Sequence, residues 1–129
     1  MKRDWDLIRA LLVKIESLGI GQQFTPHEFD GHSADEVTYH IHLMGQAGLI
    51  EWADHKWNGE PVVIAKSLTL AGHDLLDIIR DGEIWVTRKA QLQHQLGAVS
   101  YDALTHPQRF ELVVQQRGAA LKVVPAITG

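Results

Sequence analysis

The first twenty residues carry apolar side chains at intervals of three and four, which is the period of an amphipathic helix. The apolar face of this helix consists of Leu7, Ile8, Leu11, Leu12, Ile15 and Leu18. Asp4 occupies a position suited to an N-cap, and Gly19 and Gly21 follow the last apolar residue. The chain is therefore predicted to begin with a capped helix that packs on a core.

Residues 22–33 allow two interpretations. Phe24 and Phe29, separated by polar residues, are typical of a short strand. Thr25, Pro26 and Glu28 instead match a capping box that opens a single helical turn. We favour the short strand.

A second helix is predicted after Ser33, because Ser33 and Glu36 have the spacing of a capping box. Gly48 would end this helix in the left-handed conformation. Its buried stripe would consist of Val37, Ile41 and Met44. Its solvent side would consist of Asp35, Thr38, Tyr39, His42 and Gln46. This helix occupies the place of a recognition helix.

Two runs rich in aromatic and β-branched residues, 49–57 and 60–69, flank an Asn58-Gly59 turn, which is the strongest short signal for a hairpin. This hairpin is the expected wing. Trp52 and Trp57 are an odd number of positions apart, so they point to opposite faces of a regular strand. One of them would pack on the core. The other would be exposed, either at a protein interface or over its own hairpin.

Helical patterns dominate the rest of the chain. Thr69 caps the next helix, and Gly82 interrupts it. A further apolar stripe follows at Trp85, Leu92 and Leu96. Ser100 begins a last helical region that extends to about Gly118, with a restart or kink at Pro107.

Helix, short strand, helix and two-stranded wing, in this order, form the skeleton of a winged-helix domain. The predicted fold is therefore α+β and winged-helix-like, with additional C-terminal helices. Residues 1–80 would form the winged-helix-like domain. Residues 81–129 would form a C-terminal helical extension that packs on it as one unit.

Several motifs permit a closer comparison. The chain opens with "MKRDWDLIR", carries "YHIHLMGQAGLI" at residues 39–50 and "LTLAGHDLLD" at residues 68–77, and continues through Trp85 to "GAVSYDAL" at residues 97–104. In this order, the motifs resemble the DUF2513 family of uncharacterised phage and bacterial proteins, over residues 1 to about 118. The stretch "THPQRF" departs from the continuous helix expected there. The resemblance implies a winged-helix-like fold and a phage or prophage context, but no established activity.

Composition narrows the functional classes. The 129 residues are 45% hydrophobic and 22% charged, and they include no cysteine, which excludes disulfides, thiol catalysis and thiolate metal sites. The charged, helical start does not resemble a signal peptide, and no run approaches the roughly 20 apolar residues of a membrane span. We expect a soluble protein in the cytoplasm of a bacterial host, without membrane contact.

The charge of the predicted reading surface argues against DNA. The net charge of the chain is −4, and residues 28–60 carry seven acidic side chains against Lys56 alone, a local charge of −6. DNA binding depends largely on phosphate contacts from basic side chains, which this segment lacks. We therefore predict a face for a protein partner, called here the interaction face, made of Asp35, Thr38, Tyr39, His42, Gln46, Trp52, Lys56 and Trp57. Base contacts by Tyr39, His42 and Gln46 are the alternative.

Most basic residues lie outside that segment. Nine of them are candidate contacts for nucleic acid or for an acidic partner: Lys2, Arg3, Arg9, Arg80, Arg88, Lys89, Arg109, Arg117 and Lys122. They could form a DNA surface on other helices, or the positive half of a self-complementary pair of subunits. They could equally be ordinary solvated side chains.

Eight histidines raise the question of metal binding. His40 and His42 are two positions apart and project from different faces of a helix, whereas His73 and Asp77 have the spacing of helical ligands. A small hydrolase built on these two residues is kept only as a contrasting hypothesis. Known His-Asp metal enzymes need further His and Asp ligands on neighbouring helices. We favour a hydrogen-bonded His73 and a partly buried His40 that packs beside Ile41. Since the chain also lacks a nucleophile elbow and a glycine-rich phosphate loop, we expect no metal, no cofactor and no enzymatic activity.

Apolar residues are in surplus after Gly97: Val99, Leu104, Phe110, Val113, Val114, Leu121, Val123, Val124 and Ile127. A two-fold homodimer through the C-terminal helices would bury them, unless the tail folds back on Trp85 and the first helix. The sequence thus predicts a non-enzymatic regulatory or protein-interaction module of phage type. A DNA-binding transcriptional regulator is the alternative.

Overall fold

A computed structural model describes residues 1–110, 112–114 and 123–125 of the chain. It separates into two compact units, Met1–Leu76 and Asp77–Gly129, so the division falls a few residues before the predicted boundary at residue 80. The packing of the two as one unit stays a prediction. Across the described residues, no helix has both the length and the apolar character that a membrane crossing requires.

The first unit is winged-helix-like. Its helices and strands are α1 (Trp5–Glu16), a 3₁₀ helix (Pro26–Glu28), α2 (Ala34–Gln46), β1 (Ile50–Trp57), β2 (Glu60–Leu68) and the start of α3 (Leu70–Ile79). The strands β1 and β2 form an antiparallel hairpin, and Phe24 adds a single bridge to Ala65 of β2. This order of helix, strand contact, helix and wing is the predicted one.

Helix α1 begins as predicted, because the carboxylate of Asp4 accepts hydrogen bonds from the backbone N–H groups of Asp6 and Leu7 at 2.9 and 3.3 Å. Its buried face is Leu7, Ile8, Leu11, Leu12 and Ile15. The helix ends at Glu16 with Ser17 as its C-cap, so Leu18 and the predicted glycine stop lie beyond it.

The segment that follows α1 contains both alternatives raised by the sequence. Phe24 and Ala65 exchange two backbone hydrogen bonds of 2.9 Å, which is a strand contact of one residue. The strand does not reach Phe29, because the 3₁₀ helix starts at Pro26, which has no N–H for a ladder. The predicted short strand is therefore reduced to a bridge followed by a turn.

Helix α2 has the predicted cap and the predicted stripe. The hydroxyl of Ser33 accepts a hydrogen bond from the backbone N–H of Glu36 at 3.1 Å, and Val37, Ile41 and Met44 are buried. A hydrogen bond from the backbone N–H of Ser33 lowers the pKa of the Glu36 carboxyl, and the Ser33 hydroxyl and His32 add to this effect. The capping box thus operates in both directions.

His40 is the buried polar residue of α2, with 2% of its surface exposed. Its Nε2 accepts a hydrogen bond from the backbone N–H of Asp4 at 2.8 Å, and its Nδ1 lies 2.7 Å from the carbonyl oxygen of Glu36. Because an N–H can only donate, the ring must carry its proton on Nδ1. His40 is therefore more than the packing residue predicted beside Ile41, since its hydrogen bond connects the N-cap of α1 to α2.

The hairpin turns at Asn58 and Gly59, whose φ angles of 52° and 81° match the type I′ turn that this dipeptide favours. The register pairs Ile50 with Leu68 at the base and Trp57 with Glu60 at the tip. An irregularity between Glu51 and Trp52 leaves one extra residue on β2. The predicted wing is confirmed.

The base of the hairpin is joined to α3 by a compact backbone junction. The hydroxyl of Thr69 donates to the carbonyl oxygen of Gly48 at 2.5 Å and accepts from the N–H of Gly72 at 3.1 Å, so Thr69 caps α3 as predicted. The N–H of Thr69 donates to the carbonyl oxygen of Leu49 at 3.0 Å. Gly72 lies so close to Leu49 that a Cβ there would collide with this same oxygen. The junction therefore requires glycine at position 72.

In the second unit, Asp81 caps α4 (Gly82–Leu96) through hydrogen bonds from the N–H groups of Glu83 and Ile84, both of 3.0 Å. Trp85 and Leu92 are buried as predicted. Leu96 is 41% exposed, contrary to prediction, because it is the last helical residue before the chain turns at Gly97.

The predicted helical region from Ser100 to about Gly118 restarts at Pro107 as expected, but it is wrong at residues 112–114, which form a strand; residues 115–118 lie outside the described residues. Ser100 caps only the short α5 (Tyr101–Thr105), and a 3₁₀ helix (Pro107–Phe110) follows it. The chain then forms β3 (Leu112–Val114), which pairs antiparallel with β4 (Val123–Pro125). Pro107 cannot continue a helix, and β-branched valines pair well in strands. Of the predicted dimer stripe, Val99 and Leu104 are buried, Phe110 is half-buried, and Leu121 and Ile127 lie outside the described residues.

We expect Gly72→Ala to lower the free energy of unfolding by about 1–3 kcal/mol, because the new methyl group meets backbone rather than a movable side chain. Urea denaturation followed by circular dichroism measures the change. Gly19→Ala is the matched control, because a Cβ there meets only the side chain of Gln22 at 3.4 Å. Equal stabilities of the two variants would contradict the junction.

His40→Leu is expected to cost about 1–3 kcal/mol, because it leaves the part-buried N–H of Asp4 without its acceptor. The same change at His55, which is exposed on β1, should alter stability by less than about 0.5 kcal/mol. Urea unfolding of both variants gives the comparison. A stability of His40→Leu equal to that of the wild type would exclude a structural role for the hydrogen bond.

Candidate protein-interaction face

The outward residues of α2 divide into two groups. Asp35 and Gln46, at the two ends of the helix, are exposed, whereas Thr38, Tyr39 and His42 between them are half-buried. Part of the side predicted to read DNA or a partner is therefore covered by the chain itself.

Trp52 of β1 provides part of that cover. A Cβ on Gly45 would clash with the Trp52 indole, with Cδ1 at 2.6 Å and Cε2 at 2.8 Å, so the ring lies directly against the helix backbone. The ring also meets His42 edge to face, with centroids 5.1 Å apart and an interplanar angle of 71°. Of the two hairpin tryptophans, Trp52 is thus the packed one, and it packs on the recognition-type helix.

Asp54 lies two residues beyond Trp52 and therefore on the same face of the hairpin. Its Oδ1 is 3.7 Å from Nε2 of His42, which is beyond hydrogen-bond distance but within reach of an ion pair if the imidazole is charged. Both side chains keep substantial exposure, 41% for His42 and 71% for Asp54. The side chains of His42 and Asp54 thus lie side by side at the surface where the helix meets the wing.

A cavity of about 310 Å³ opens beside this pair, between the 3₁₀ helix, the start of α2 and the hairpin. Its apolar lining comes from Pro26, Ala34, Pro61, Val62 and Val63, and its polar lining from His27, Asp35, Thr38, His42 and Asp54. We call this cavity the groove. It brings together three predicted residues of the interaction face, Asp35, Thr38 and His42.

The remaining predicted residues of the face do not line the groove. Lys56 and Trp57 are exposed near the tip of the hairpin, and Trp57 exposes 61% of its surface. Tyr39 packs edge to face with His40, at 5.5 Å between centroids, and Gln46 is at the C-terminal end of α2. The groove therefore brings together only part of the predicted interaction face.

The first unit is acidic as a whole. It carries eleven acidic against six basic side chains, a formal charge of −5, which leaves +1 for the second unit out of the −4 of the chain. The groove contributes two carboxylates and no Lys or Arg. The surface beside α2 therefore repels polyanions and favours cations.

Several predicted basic contacts are already engaged. Arg3 lies over the ring of Trp5 at 5.4 Å and Lys89 over that of Trp85 at 5.7 Å. Two more arginines form ion pairs, Arg80 with Asp77 at 3.3 Å and Arg109 with Asp102 at 2.9 Å. Lys2 is exposed and Arg9 half-buried, while Arg117 and Lys122 lie outside the described residues.

Arg88 does not fit the role of a surface contact. It exposes only 8% of its surface, and its Nη1 donates to the carbonyl oxygen of Ile78 at 3.5 Å. Burial lowers the pKa of its guanidinium below the ordinary value, because the charged form loses water. Position 88 continues the buried stripe of α4 from Trp85 to Leu92, which the sequence reading missed because arginine is rarely a core residue.

Four of the eight histidines lie near a carboxylate: His32, His42, His73 and His106. No group of three or more His, Asp or Glu residues in the described part of the chain is placed to hold a metal ion. Nδ1 of His73 lies 4.0 Å from the carboxylate of Glu16, and Asp77 forms an ion pair with Arg80. The two residues with the spacing of metal ligands are therefore each near a different side chain.

Sequence reasoning missed Gly45 and most of the groove lining. A glycine inside a helix was the available signal, because it costs up to about 1 kcal/mol relative to alanine and so suggests a close neighbour. Nothing local connects Pro26 or Pro61 with Asp35, since they come from three segments that only the fold brings together.

The architecture defines a small winged-helix-like protein with an acidic, partly covered helix face. The family model described as hypothetical protein (DUF2513) matches residues 2–98, and the chain belongs to this family. It is also similar to an uncharacterized protein of Haemophilus influenzae strain Rd, with 40% identity over 105 residues that cover 81% of this chain and 89% of the relative. No solved structure matches the chain.

Gly45→Ala should displace the ring of Trp52, because its methyl group would occupy the position of the indole. We expect a large shift of the Trp52 indole N–H resonance and no gain in stability, although alanine usually favours a helix by up to about 1 kcal/mol. In a Trp52→Ala background, the same substitution should stabilise the protein, so the double-mutant cycle isolates the contact. An unchanged indole resonance would contradict the packing of Trp52 on α2.

Proposed function

We propose that this protein is a non-enzymatic regulatory module of phage or prophage type that binds a protein partner through the surface between α2 and the wing. The observation that carries the proposal is that side chains of β1 cover part of the outward face of α2. Trp52 lies against its backbone at Gly45, and Asp54 stands beside His42, where a DNA-reading helix would need free base-contacting side chains.

Electrostatics support a protein partner over DNA. Binding to DNA draws most of its free energy from phosphate contacts by Lys and Arg, with release of counterions. The acidic first unit provides the opposite field, and Lys56 is the sole basic residue between Glu28 and Glu60. A cationic surface on another protein is therefore the better complement to this face.

The second candidate function is a DNA-binding transcriptional regulator. The winged-helix-like order of the first unit favours it, because helices in the position of α2 commonly enter the major groove. Tyr39, His42 and Gln46 would then contact bases. We also propose that the protein forms a homodimer through residues after Gly97, which fits either function. The proposed site of action is the cytoplasm of a bacterial host.

Duplex DNA of mixed sequence is expected to bind with a dissociation constant above about 100 µM at physiological salt, which is a lower affinity than non-specific DNA binders usually have. Fluorescence anisotropy with a labelled duplex measures it. A variant with Asp35→Lys, Asp54→Lys and Glu60→Lys should bind at least about tenfold more tightly, which shows that the assay detects contact at this face. Nanomolar wild-type affinity that is lost in His42→Ala or Gln46→Ala would favour the regulator instead.

A further inference from the structure

We infer that the groove receives an arginine side chain of the protein partner. This inference rests on the proposed function and specifies the chemistry of its central contact. The occupant has to match the volume of the groove, its apolar lining and its two carboxylates.

The volume and lining fit one long side chain. A cavity of about 310 Å³ is at the lower end of the range for small-molecule sites, so a dinucleotide or a nucleic-acid segment is too large for it. Pro61, Val62 and Val63 provide an apolar wall. The three methylene groups of an arginine can lie along such a wall while the charged end remains at the rim.

The polar lining selects a cation. Asp35 on the first turn of α2 and Asp54 on β1 approach the groove from different elements, and no Lys or Arg lines it. Asp54 makes no hydrogen bond with His42, because the two atoms are 3.7 Å apart, so the carboxylate can accept from an incoming donor. An anion in the groove would be repelled by the carboxylates of Asp35 and Asp54.

Arginine fits better than lysine. Its planar guanidinium carries five N–H donors and can address acceptors on two sides at once, whereas an ammonium acts as a compact point charge. It is also more weakly hydrated, so partial burial beside Val63 and Pro26 costs less free energy. Guanidinium groups are enriched at protein interfaces for these reasons.

The test is a titration of the ¹⁵N-labelled full chain with Nα-acetyl-arginine methylamide, followed by amide chemical shifts. We expect saturable binding in the low millimolar range, with shifts concentrated at Ala34, Asp35, Thr38, His42, Val62 and Val63. The citrulline analogue has nearly the same shape without the charge and should leave these amides unchanged. The lysine analogue should bind at least about threefold more weakly.

Asp54→Asn should weaken arginine binding about three- to fivefold, the range expected for one largely exposed carboxylate. Asp74→Asn on α3 is the matched control, because it removes the same charge from an exposed position that does not line the groove. Its effect should stay below about 1.5-fold, since long-range charge effects are screened by salt. Chemical shifts of the remaining core amides verify that both variants are folded.

Any one of four results would overturn the inference. The arginine analogue could bind no better than the citrulline or the lysine analogue, the chemical shifts could change outside the groove, or the Asp54→Asn and Asp74→Asn variants could have equal effects. Those results leave the proposed function standing, because a partner can use the face without an arginine in the groove. The proposed function fails separately, through tight duplex DNA binding that depends on α2.

Discussion

The first unit depends on the backbone junction between the turn after α2 and the start of α3. Thr69 bonds both Gly48 and Leu49, while Gly72 lets the helix approach the Leu49 carbonyl group. This contact closes the hairpin at its base, where Ile50 pairs with Leu68, and thereby sets the position of β1 beside α2. Backbone groups buried at such a point must be paired, so the geometry tolerates little change.

The junction also explains why the surface of α2 has its present character. Because β1 leaves the junction close to α2, Trp52 reaches Gly45 and Asp54 reaches His42. The strand thus adds an aromatic ring and a negative charge to a helix that lacks basic residues. A fold that often presents a helix to DNA here presents a partly covered acidic surface, which illustrates that function belongs to the site and not to the fold.

Two of the sequence motifs that resemble the DUF2513 family have physical meaning in this fold. The stretch from Tyr39 to Ile50 contains the buried His40 and ends in the junction, and the stretch from Leu68 to Asp77 provides its other side through Thr69 and Gly72. Both motifs are therefore accounted for by packing and backbone hydrogen bonding. They explain the architecture, whereas Asp35, Asp54 and the lining of the groove carry the proposed recognition.

Local chemistry let the sequence determine the caps at Asp4, Ser33 and Thr69, the Asn58-Gly59 turn and the buried stripes of α1 and α2, because each depends on residues a few positions apart. It also determined the acidic character of the first unit. Only the tertiary structure decided the roles of His40, Arg88 and Trp52, and the strand that replaces helix at residues 112–114. Those outcomes depend on partners distant in the chain, such as Asp4 and His40, which are 36 residues apart, and a local pattern cannot specify such partners.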